Sequence, residues 1–182
     1  MYGHPVLREI AKPVTAEDGD LTDLLANMFE TMYHSDGVGL AAPQIGISKR
    51  LVVIDGDPLS DNFEECRGLK LVLINPEIEI LDGDAVSRTE GCLSLPGINE
   101  DVKRVEHLRM RWTDEKGEQH DQEFSGFAAR IIQHECDHLE GRVFIDHLSG
   151  IRKQLIKRKL LNIVEGKTAV DYPARYAPKH RR

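Results

Sequence analysis

The order of helix-like and strand-like segments predicts an α+β fold with antiparallel β-sheets. Apolar residues recur at helical spacing near the start, in the middle and near the end of the chain, and several strand-like segments lie between these regions. A length of 182 residues suits one domain with a sizeable core. The 40% hydrophobic and 30% charged residues are typical of a soluble globular protein.

The first half of the chain is predicted to contain one helix and two strands. Residues 21–34 have apolar side chains three and four positions apart, which predicts a helix that Gly37 ends. The β-branched run LVVID at 51–55 predicts a strand. Residues 71–81 are predicted to be extended, and Pro76 within them predicts a sheet edge or a β-bulge.

Further strands are predicted in the second half. Residues 85–90 and 102–113 alternate between apolar and polar side chains, so each segment is predicted to form a strand. The sequence DEKGEQ at 114–119 predicts a hairpin turn, after which another strand runs up to Phe124.

Two helices are predicted after these strands. One runs from about residue 125 to 140, with Ser125 at the N-cap, and the other covers about 149–164. These boundaries predict a single domain over 1–166, which includes the last helix. Residues 167–182 are predicted to form a basic, flexible C-terminal tail.

Charge is distributed unevenly along the chain. Between Leu148 and Arg182 there are ten Lys and Arg against two acidic residues, whereas the whole chain has a formal net charge of −7. A basic end on an acidic body predicts docking on an anionic partner. The alternative is a solvated helix followed by a frayed terminus.

The cellular setting is predicted from what the sequence lacks. It has no apolar run long enough to span a membrane, and its first residues show no apolar signal core. Its three cysteines cannot all pair with one another, so we expect a cytoplasmic protein. Cys66 is expected to be a surface thiol in a loop, and Cys136 a packing residue of its helix.

The sequence IIQHECDHLEG contains an H-E-x-x-H pattern. His134 and His138 are neighbours on one helix face, so both can bind one metal ion. Glu135 lies beside His134 and can act as general base on a water molecule at that metal. The pattern predicts metal-assisted hydrolysis, and the alternative is a polar helix face without chemistry.

A catalytic metal usually has three protein ligands. One metalloprotease class has a third histidine where this chain has Phe144, and Glu165 is a weak substitute at a helix end. Cys92, in the turn EGCLSLP, is the better candidate because a metal would hold its thiolate deprotonated. The alternatives for Cys92 are a free, half-buried thiol, or a nucleophile with His107 or His134 as its base.

The sequence GVGLAAPQIG at 37–46 permits two functional interpretations. Its G-x-G-x-x-A spacing, with Asp55 further on, resembles a dinucleotide fingerprint, but a helix precedes it and Pro43 disfavours a helix after it. Alternatively, the glycines let the backbone approach a substrate and Gln44 donates to an oxyanion. A tight packing loop is the structural alternative.

In this order, GVGLAAPQ, EGCLSLP and QHECDHLEG resemble the three signature motifs of the peptide deformylases. GHPVLR and LINPEI are further matches, and the resemblance covers roughly residues 2–164. It implies antiparallel β-sheets around a central helix that carries the H-E-x-x-H motif. It also implies removal of the N-formyl group from the initiating methionine of nascent polypeptides, with release of formate.

The resemblance also implies a metal centre. Its ligands would be Cys92, His134 and His138, and Glu135 would be the general acid and base. The resemblance favours Fe(II) in the cell, with Zn, Ni or Co as possible substitutes, and the chemistry of the ligands fits all four ions.

Other site residues follow from the same resemblance. Gln44 and the backbone N–H of Leu93 would be the oxyanion donors, and Gly39 would line the formyl site. Glu90 and Arg104 resemble a structural ion pair near the site.

The substrate pocket is predicted to be apolar. Val38, Phe127 and Ile131, together with Gly39, are our candidates for contacting the methionine. The chain has Asn99 where many relatives have an arginine, which predicts a difference in recognition of the substrate backbone. The family often has an apolar strand ahead of GHPVLR, and because this sequence begins almost at that segment, the strand is either missing or trimmed.

Two other functions compete with the deformylase interpretation, and one macromolecular partner is predicted. An H-E-x-x-H zinc metallopeptidase would cleave internal peptide bonds without needing Cys92. A nucleotide-binding or partner-binding module would use the glycine loop and no metal. If the chain is a deformylase, residues 149–182 are predicted to dock on the phosphate-rich ribosome surface, with no membrane partner and no direct binding to DNA.

Overall fold

The protein is described by a computed structural model that covers residues 1–178. It has three α-helices, a five-stranded antiparallel sheet in the order β1-β2-β3-β6-β7, and a two-stranded antiparallel sheet, β4-β5. The helices are α1 Thr22–His34, α2 Gly126–Leu139 and α3 Gly150–Val164. The strands are β1 Gly39–Ala41, β2 Leu51–Asp55, β3 Lys70–Ile80, β4 Ala85–Glu90, β5 Glu100–Val105, β6 His107–Thr113 and β7 Gln119–Ser125.

The larger sheet lies between α1 and α2. Alternate residues of a strand point to opposite faces, and β2 is buried on both of them. Val52 and Ile54 pack in the cluster that contains α2, whereas Leu51 and Val53 pack in the cluster that contains α1. Eleven of the fourteen residues of α2 are buried, so the prediction of a central helix is confirmed.

Strand β3 contains the irregularity that Pro76 predicted. The pairing of β3 with β6 shifts register between Ile74 and Glu77, and Asn75 there has a positive φ of 51°. Proline has no N–H to donate to a neighbouring strand. Strand β2 pairs with β3 only as far as Ile74, so Pro76 lies at a bulge where β3 keeps β6 as its neighbour and its other side becomes an edge.

The strand predicted over 102–113 is two strands in different sheets, so that prediction was wrong in its continuity. The chain leaves the small sheet and enters the large one at Glu106, between β5 and β6. The Glu106 carboxylate accepts hydrogen bonds from Arg88 and Arg130, which stabilise the change of direction. The alternating pattern continues through this point and therefore does not reveal the break.

Cys66 is fully buried, and its prediction as a surface thiol was wrong. It lies in a short 3₁₀ turn, Glu64–Cys66, within a polar loop, but its side chain packs in the cluster below α2. Burial raises the pKa of Cys66 to about 11. Cys136 packs in the same cluster, as predicted.

Helix α2 begins as predicted but is capped by a distant residue. Ser125 occupies the N-cap position without a side-chain hydrogen bond to the first turn. Instead, the Glu65 carboxylate accepts a hydrogen bond of 2.6 Å from the Phe127 N–H. Gly126 has a positive φ of 58°, and a Cβ there would collide with Glu65. The loop before β3 therefore contacts the start of the helix that bears the motif.

The C-terminal region packs against the start of the chain. Ile156 and Ile163 of α3 share a cluster with Met1 and Val102, and Tyr172 and Tyr176 pack on that cluster. The Met1 nitrogen donates to the carbonyl of Arg175 at 3.0 Å. Of the segment predicted as a tail, Lys179 to Arg182 lie outside the described residues. Within residues 1–178, no helix is both long and apolar enough to cross a membrane.

Candidate active site

One cavity of about 400 Å³ brings together nine of the ten residues predicted for the site. It lies between β1, the turn after β4, and α2. The tenth, His138, is fully buried beside Cys92. From the first two elements the cavity is lined by Val38, Gly39, Gln44, Cys92 and Leu93. From α2 it is lined by Phe127, Ile131, His134 and Glu135.

Cys92, His134 and His138 form a cluster that could hold a metal ion. One ligand atom from each residue lies within 4.8 Å of the other two. Cys92 Sγ is 3.4 Å from His138 Nε2. His134 directs Nδ1 to the Glu90 carboxylate at 2.9 Å, which leaves Nε2 for the cluster. One sulfur and two imidazole nitrogens in this arrangement fit a tetrahedral metal with one open position.

The electrostatic environment of the cluster favours a thiolate. Burial alone would raise the pKa of the Cys92 thiol, but the adjacent imidazoles of His138 and His134 outweigh it and hold this pKa well below its usual value. Burial would lower the pKa of His134, yet its contacts with Cys92 and Glu90 raise that pKa well above its usual value. Since the thiolate is the form that binds metals, the site fits a cation.

Glu135 is buried next to the cluster. Burial raises the pKa of its carboxyl above the ordinary value. No residue in the described part of the chain forms a hydrogen bond with its Oε2. A Cβ on Gly39 would lie 2.5 Å from its Oε1, so only glycine at that position leaves room for the carboxylate. The first motif and the helix motif are therefore packed directly against each other.

Gln44 presents its amide N–H groups to the same space. Its Oε1 accepts a hydrogen bond of 2.7 Å from the Ala41 N–H, which fixes the orientation of the amide. Its Nε2 then lies 3.5 Å from Cys92 Sγ and 3.4 Å from Ser94 Oγ. Across residues 1–178, no backbone hydrogen bond uses the Leu93 N–H as donor. The Gln44 amide therefore lies beside the thiol, and the Leu93 N–H is left without a backbone acceptor in the described structure.

A buried ion network supports the cluster. Glu90 accepts bonds from Arg104 at 2.7 and 3.0 Å and from Arg130 at 2.7 Å, besides its contact with His134. Burial opposes ionisation of Glu90, but these partners hold its pKa well below the usual range. Arg104 also reaches Asp137 at 2.9 Å. The predicted contact between Glu90 and Arg104 is present, but the network is larger.

The sequence analysis missed several of these residues. Arg130 and Asp137 lie on the same face of α2 as His134, four residues before it and three after it, and this spacing could have identified them. Leu59 lines the cavity from the loop after β2, and Tyr172 lines it from the segment after α3. Neither position carries a local sequence signal.

The apolar part of the cavity lies over the first turns of α2. Val38, Phe127 and Ile131 line it together with Leu59. The ring of Phe127 stacks on Phe63, with centroids 4.1 Å apart. These side chains form an apolar wall that an apolar group of a ligand could contact.

Asn99 is exposed and does not line this cavity. It lies instead beside Gly91, where an added Cβ would be 2.5 Å from the Asn99 Oδ1. Tyr172 is half-buried, and its hydroxyl donates to the Leu93 carbonyl at 2.7 Å. Burial raises the pKa of Tyr172 to about 12, so the hydroxyl keeps its proton.

The glycine-rich segment does not have the geometry of a dinucleotide site. Helix α1 precedes it, β1 is only three residues long, and a 3₁₀ turn over Ala42–Ile45 follows it. A dinucleotide fingerprint requires a strand before the glycines and a full helix after them. The segment instead forms one wall of the cavity.

Comparison with known proteins gives one consistent result. The model of the polypeptide deformylase family matches residues 1–154. The peptide deformylase of Flavobacterium psychrophilum is 42% identical, with 99% of this chain and 96% of the relative covered. That of Cytophaga hutchinsonii is 44% identical, covering 98% of this chain and 96% of the relative.

Solved structures agree with the sequence relatives. The peptide deformylase of Synechococcus elongatus in complex with actinonin is 42% identical, with a TM-score of 0.76 over 87% of this chain and 84% of that one. Peptide deformylase 1B of Arabidopsis thaliana, in complex with an inhibitor, is 37% identical, with a TM-score of 0.79 over 96% and 95%. By sequence, by fold and by the order of its three motifs, the chain belongs to the peptide deformylase family.

Proposed function

We propose that this deformylase holds one divalent metal ion with Cys92, His134 and His138, and that Glu135 is its general acid and base. The observation that carries the proposal is the buried Glu135 carboxylate beside the three ligand atoms, with its Oε2 unpaired within residues 1–178. The substrate is the N-formyl-methionine end of a nascent polypeptide, and the products are formate and the free amine. We assign Fe(II) as the ion in the cell, with Zn, Ni or Co as substitutes.

Glu135 moves the proton in this reaction. A metal ion held by Cys92, His134 and His138 would lower the pKa of a water molecule and polarise the formyl carbonyl. Glu135 accepts the proton of the attacking water and later delivers it to the leaving nitrogen, as the C–N bond breaks. Burial raises the pKa of its carboxyl, which makes it a stronger acceptor of the water proton than a solvated carboxylate.

The oxyanion that develops on the formyl oxygen is stabilised by two fixed donors. These are the Gln44 amide, whose orientation the Ala41 N–H sets, and the Leu93 N–H. Donors held in place before the reaction need no reorganisation as the charge develops. Gly39 lines the formyl site, where a larger residue would displace the Glu135 carboxylate.

The methionine side chain is assigned to the apolar part of the cavity. Val38, Phe127 and Ile131, together with the Gly39 backbone, would contact it. We assign residues 1–166 to one catalytic domain. We infer a cytoplasmic setting because the substrates are nascent chains and the proposed thiolate ligand requires reducing conditions.

The enzyme purified without air is expected to release formate from a short N-formyl-methionyl peptide. Formate is measured directly, alongside cleavage of an unformylated peptide of the same sequence. Exposure to air should abolish the activity as Fe(II) and the Cys92 thiolate oxidise. Equal activity after long exposure would contradict iron.

Cys92→Ala is the control for this assay. It should lose the metal and the formate release together, because two imidazoles alone bind a divalent ion weakly. A different result would indicate a metallopeptidase in place of a deformylase. In that result the protein cleaves internal peptide bonds, releases no formate, and keeps this cleavage in Cys92→Ala.

We also propose that α3 docks the enzyme on the ribosome. Ile151 and Leu155 are 77% and 68% exposed on this helix. Among the described residues, Lys157 and Arg158 of α3 form no ion pair, whereas Arg152 pairs with Glu100. Exposed cations beside apolar side chains suit a surface rich in phosphate and protein. The basic residues Lys179, Arg181 and Arg182 lie outside the described residues.

Charge reversal on α3 should weaken co-sedimentation with ribosomes at low salt. The variant is Lys157→Glu with Arg158→Glu, and the loss should follow from removing two cations from a salt-dependent contact. The matched control, Arg67→Glu with Lys116→Glu, makes the same change of charge at exposed positions in the loop before β3 and in the turn between β6 and β7. Equal binding of both variants would contradict docking through this helix. Deleting all residues after Val164 is less specific, because it also removes Tyr172 from the cavity.

A further inference from the structure

Tyr172 is a part of the cavity that lies outside the family match, which ends at residue 154. It belongs to the segment after α3. Its hydroxyl donates to the carbonyl oxygen of Leu93 at 2.7 Å, across 79 residues of sequence. Its ring packs on the cluster formed by α3, β5 and the start of the chain. Nothing in the proposed chemistry above uses this residue.

Leu93 follows the proposed thiolate ligand Cys92, and its N–H is a proposed oxyanion donor, so its position affects both functions. The turn after β4 is closed by the bond from the Leu95 N–H to the Cys92 carbonyl, 2.8 Å long. The Leu93 N–H belongs to the peptide that follows Cys92, and the Leu93 carbonyl belongs to the next peptide. A bond that holds this carbonyl therefore restrains the turn that carries both the thiolate and an oxyanion donor. Small displacements of such donors reduce rates strongly.

The segment that carries Tyr172 is itself fixed on both sides. Before it, the Lys167 N–H donates a hydrogen bond of 2.8 Å to the carbonyl of Asn162 in α3. After it, the Arg175 carbonyl accepts a bond from the Met1 nitrogen. Because the segment is anchored, the Tyr172 hydroxyl can restrain the Leu93 carbonyl. A hydroxyl on a free segment would simply move together with that carbonyl.

The Tyr172 ring has a second contact surface. A neighbouring cavity of about 530 Å³ shares only three lining residues with the active-site cavity, namely Gln44, Leu93 and Tyr172. These three residues therefore lie at the partition between the two cavities. A phenylalanine would keep the partition and remove only the hydroxyl, which allows the hydrogen bond to be tested alone.

We propose that Tyr172 is a positioning residue for deformylation, which holds the Leu93 turn through its hydroxyl so that the Leu93 N–H faces the formyl oxygen. This inference rests on the proposed function. It makes the segment after α3 part of the active site of this chain. Tyr172 does not touch the reacting atoms and acts only through Leu93.

The test compares Tyr172→Phe with Tyr176→Phe in the full-length, metal-loaded enzyme. Both variants lose one tyrosine hydroxyl that donates to a backbone carbonyl, and both lie in the same segment. For Tyr172→Phe, kcat for a formyl-methionyl peptide should fall about fivefold, because the Leu93 N–H is then held less firmly toward the oxyanion and part of its hydrogen bond to the transition state is lost. KM, bound metal and Tm should stay at their wild-type values. Tyr176→Phe should keep the wild-type kcat.

Two results would overturn the inference. In one, both variants have the same kcat. In the other, Tyr172→Phe loses Tm and bound metal in proportion to its activity, which would indicate a merely structural role. Both leave the proposed function intact, because the wild-type enzyme still releases formate in the same assay. Absence of formate release from the wild type would instead overturn the proposed function, and this inference with it.

Discussion

Glu135→Gln should lower kcat for formate release about 10³-fold while the metal stays bound. Glutamine has the size of glutamate but cannot accept the proton of water, and general acid–base catalysis typically contributes 10²- to 10⁴-fold. The Glu135 carboxylate is buried beside the proposed ligands and is not one of the three. Formate release and metal content, measured on the same sample, separate loss of the base from loss of the ion.

Glu140→Gln is the matched control. Glu140 follows α2 five residues after Glu135 and pairs with Arg50 on the surface. The same change of charge and shape there should leave kcat near the wild-type value. A Glu135→Gln enzyme that retains more than about a tenth of the activity would contradict the assignment of the base.

Glu90→Gln should destabilise the protein by about 3–5 kcal/mol, because it removes the negative charge that two buried guanidinium groups share and leaves them only Asp137 and Glu106. Arg104 and Arg130 are 3% and 2% exposed, and both donate to this one carboxylate. The same substitution weakens the acceptor that orients His134, so metal affinity should fall about 10- to 100-fold. Denaturant unfolding measures the loss of stability, and competition with a chelator measures the metal affinity.

An exposed ion pair supplies the comparison for Glu90. Glu77 and Arg111 pair across β3 and β6, and their side chains are 70% and 68% exposed. Glu77→Gln should cost less than about 1 kcal/mol and leave the metal affinity unchanged. A comparably small loss for Glu90→Gln would mean that Arg104 and Arg130 find other partners, and that the network does not depend on this carboxylate.

Local spacing made part of the site predictable. The relation between His134, Glu135 and His138 is set by one helix, so the sequence suffices to place them together. Cys92 and Gln44 come from distant segments, and only the resemblance to a family connected them with the helix. The cavity that contains Cys92, Gln44, His134 and Glu135 supports that connection, while the roles of these residues stay predictions.

The features that the sequence did not predict correctly depend on contacts between distant segments. Cys66 was expected at the surface because its neighbours are polar, but a polar loop can still bury one side chain beneath a helix. The break at Glu106 was missed because alternation continues while the chain changes sheets. Tyr172 and Leu59 reach the cavity through tertiary packing, which leaves no periodic signal in the sequence.

The three cysteines differ in a way that has a practical consequence. Burial raises the pKa of Cys66 to about 11 and of Cys136 to about 12, and both side chains are buried. Only Cys92 combines a lowered pKa with a position on the wall of an open cavity. An alkylating reagent applied to the native protein will therefore label one thiol, and its rate will report the fraction of molecules that carry an ion.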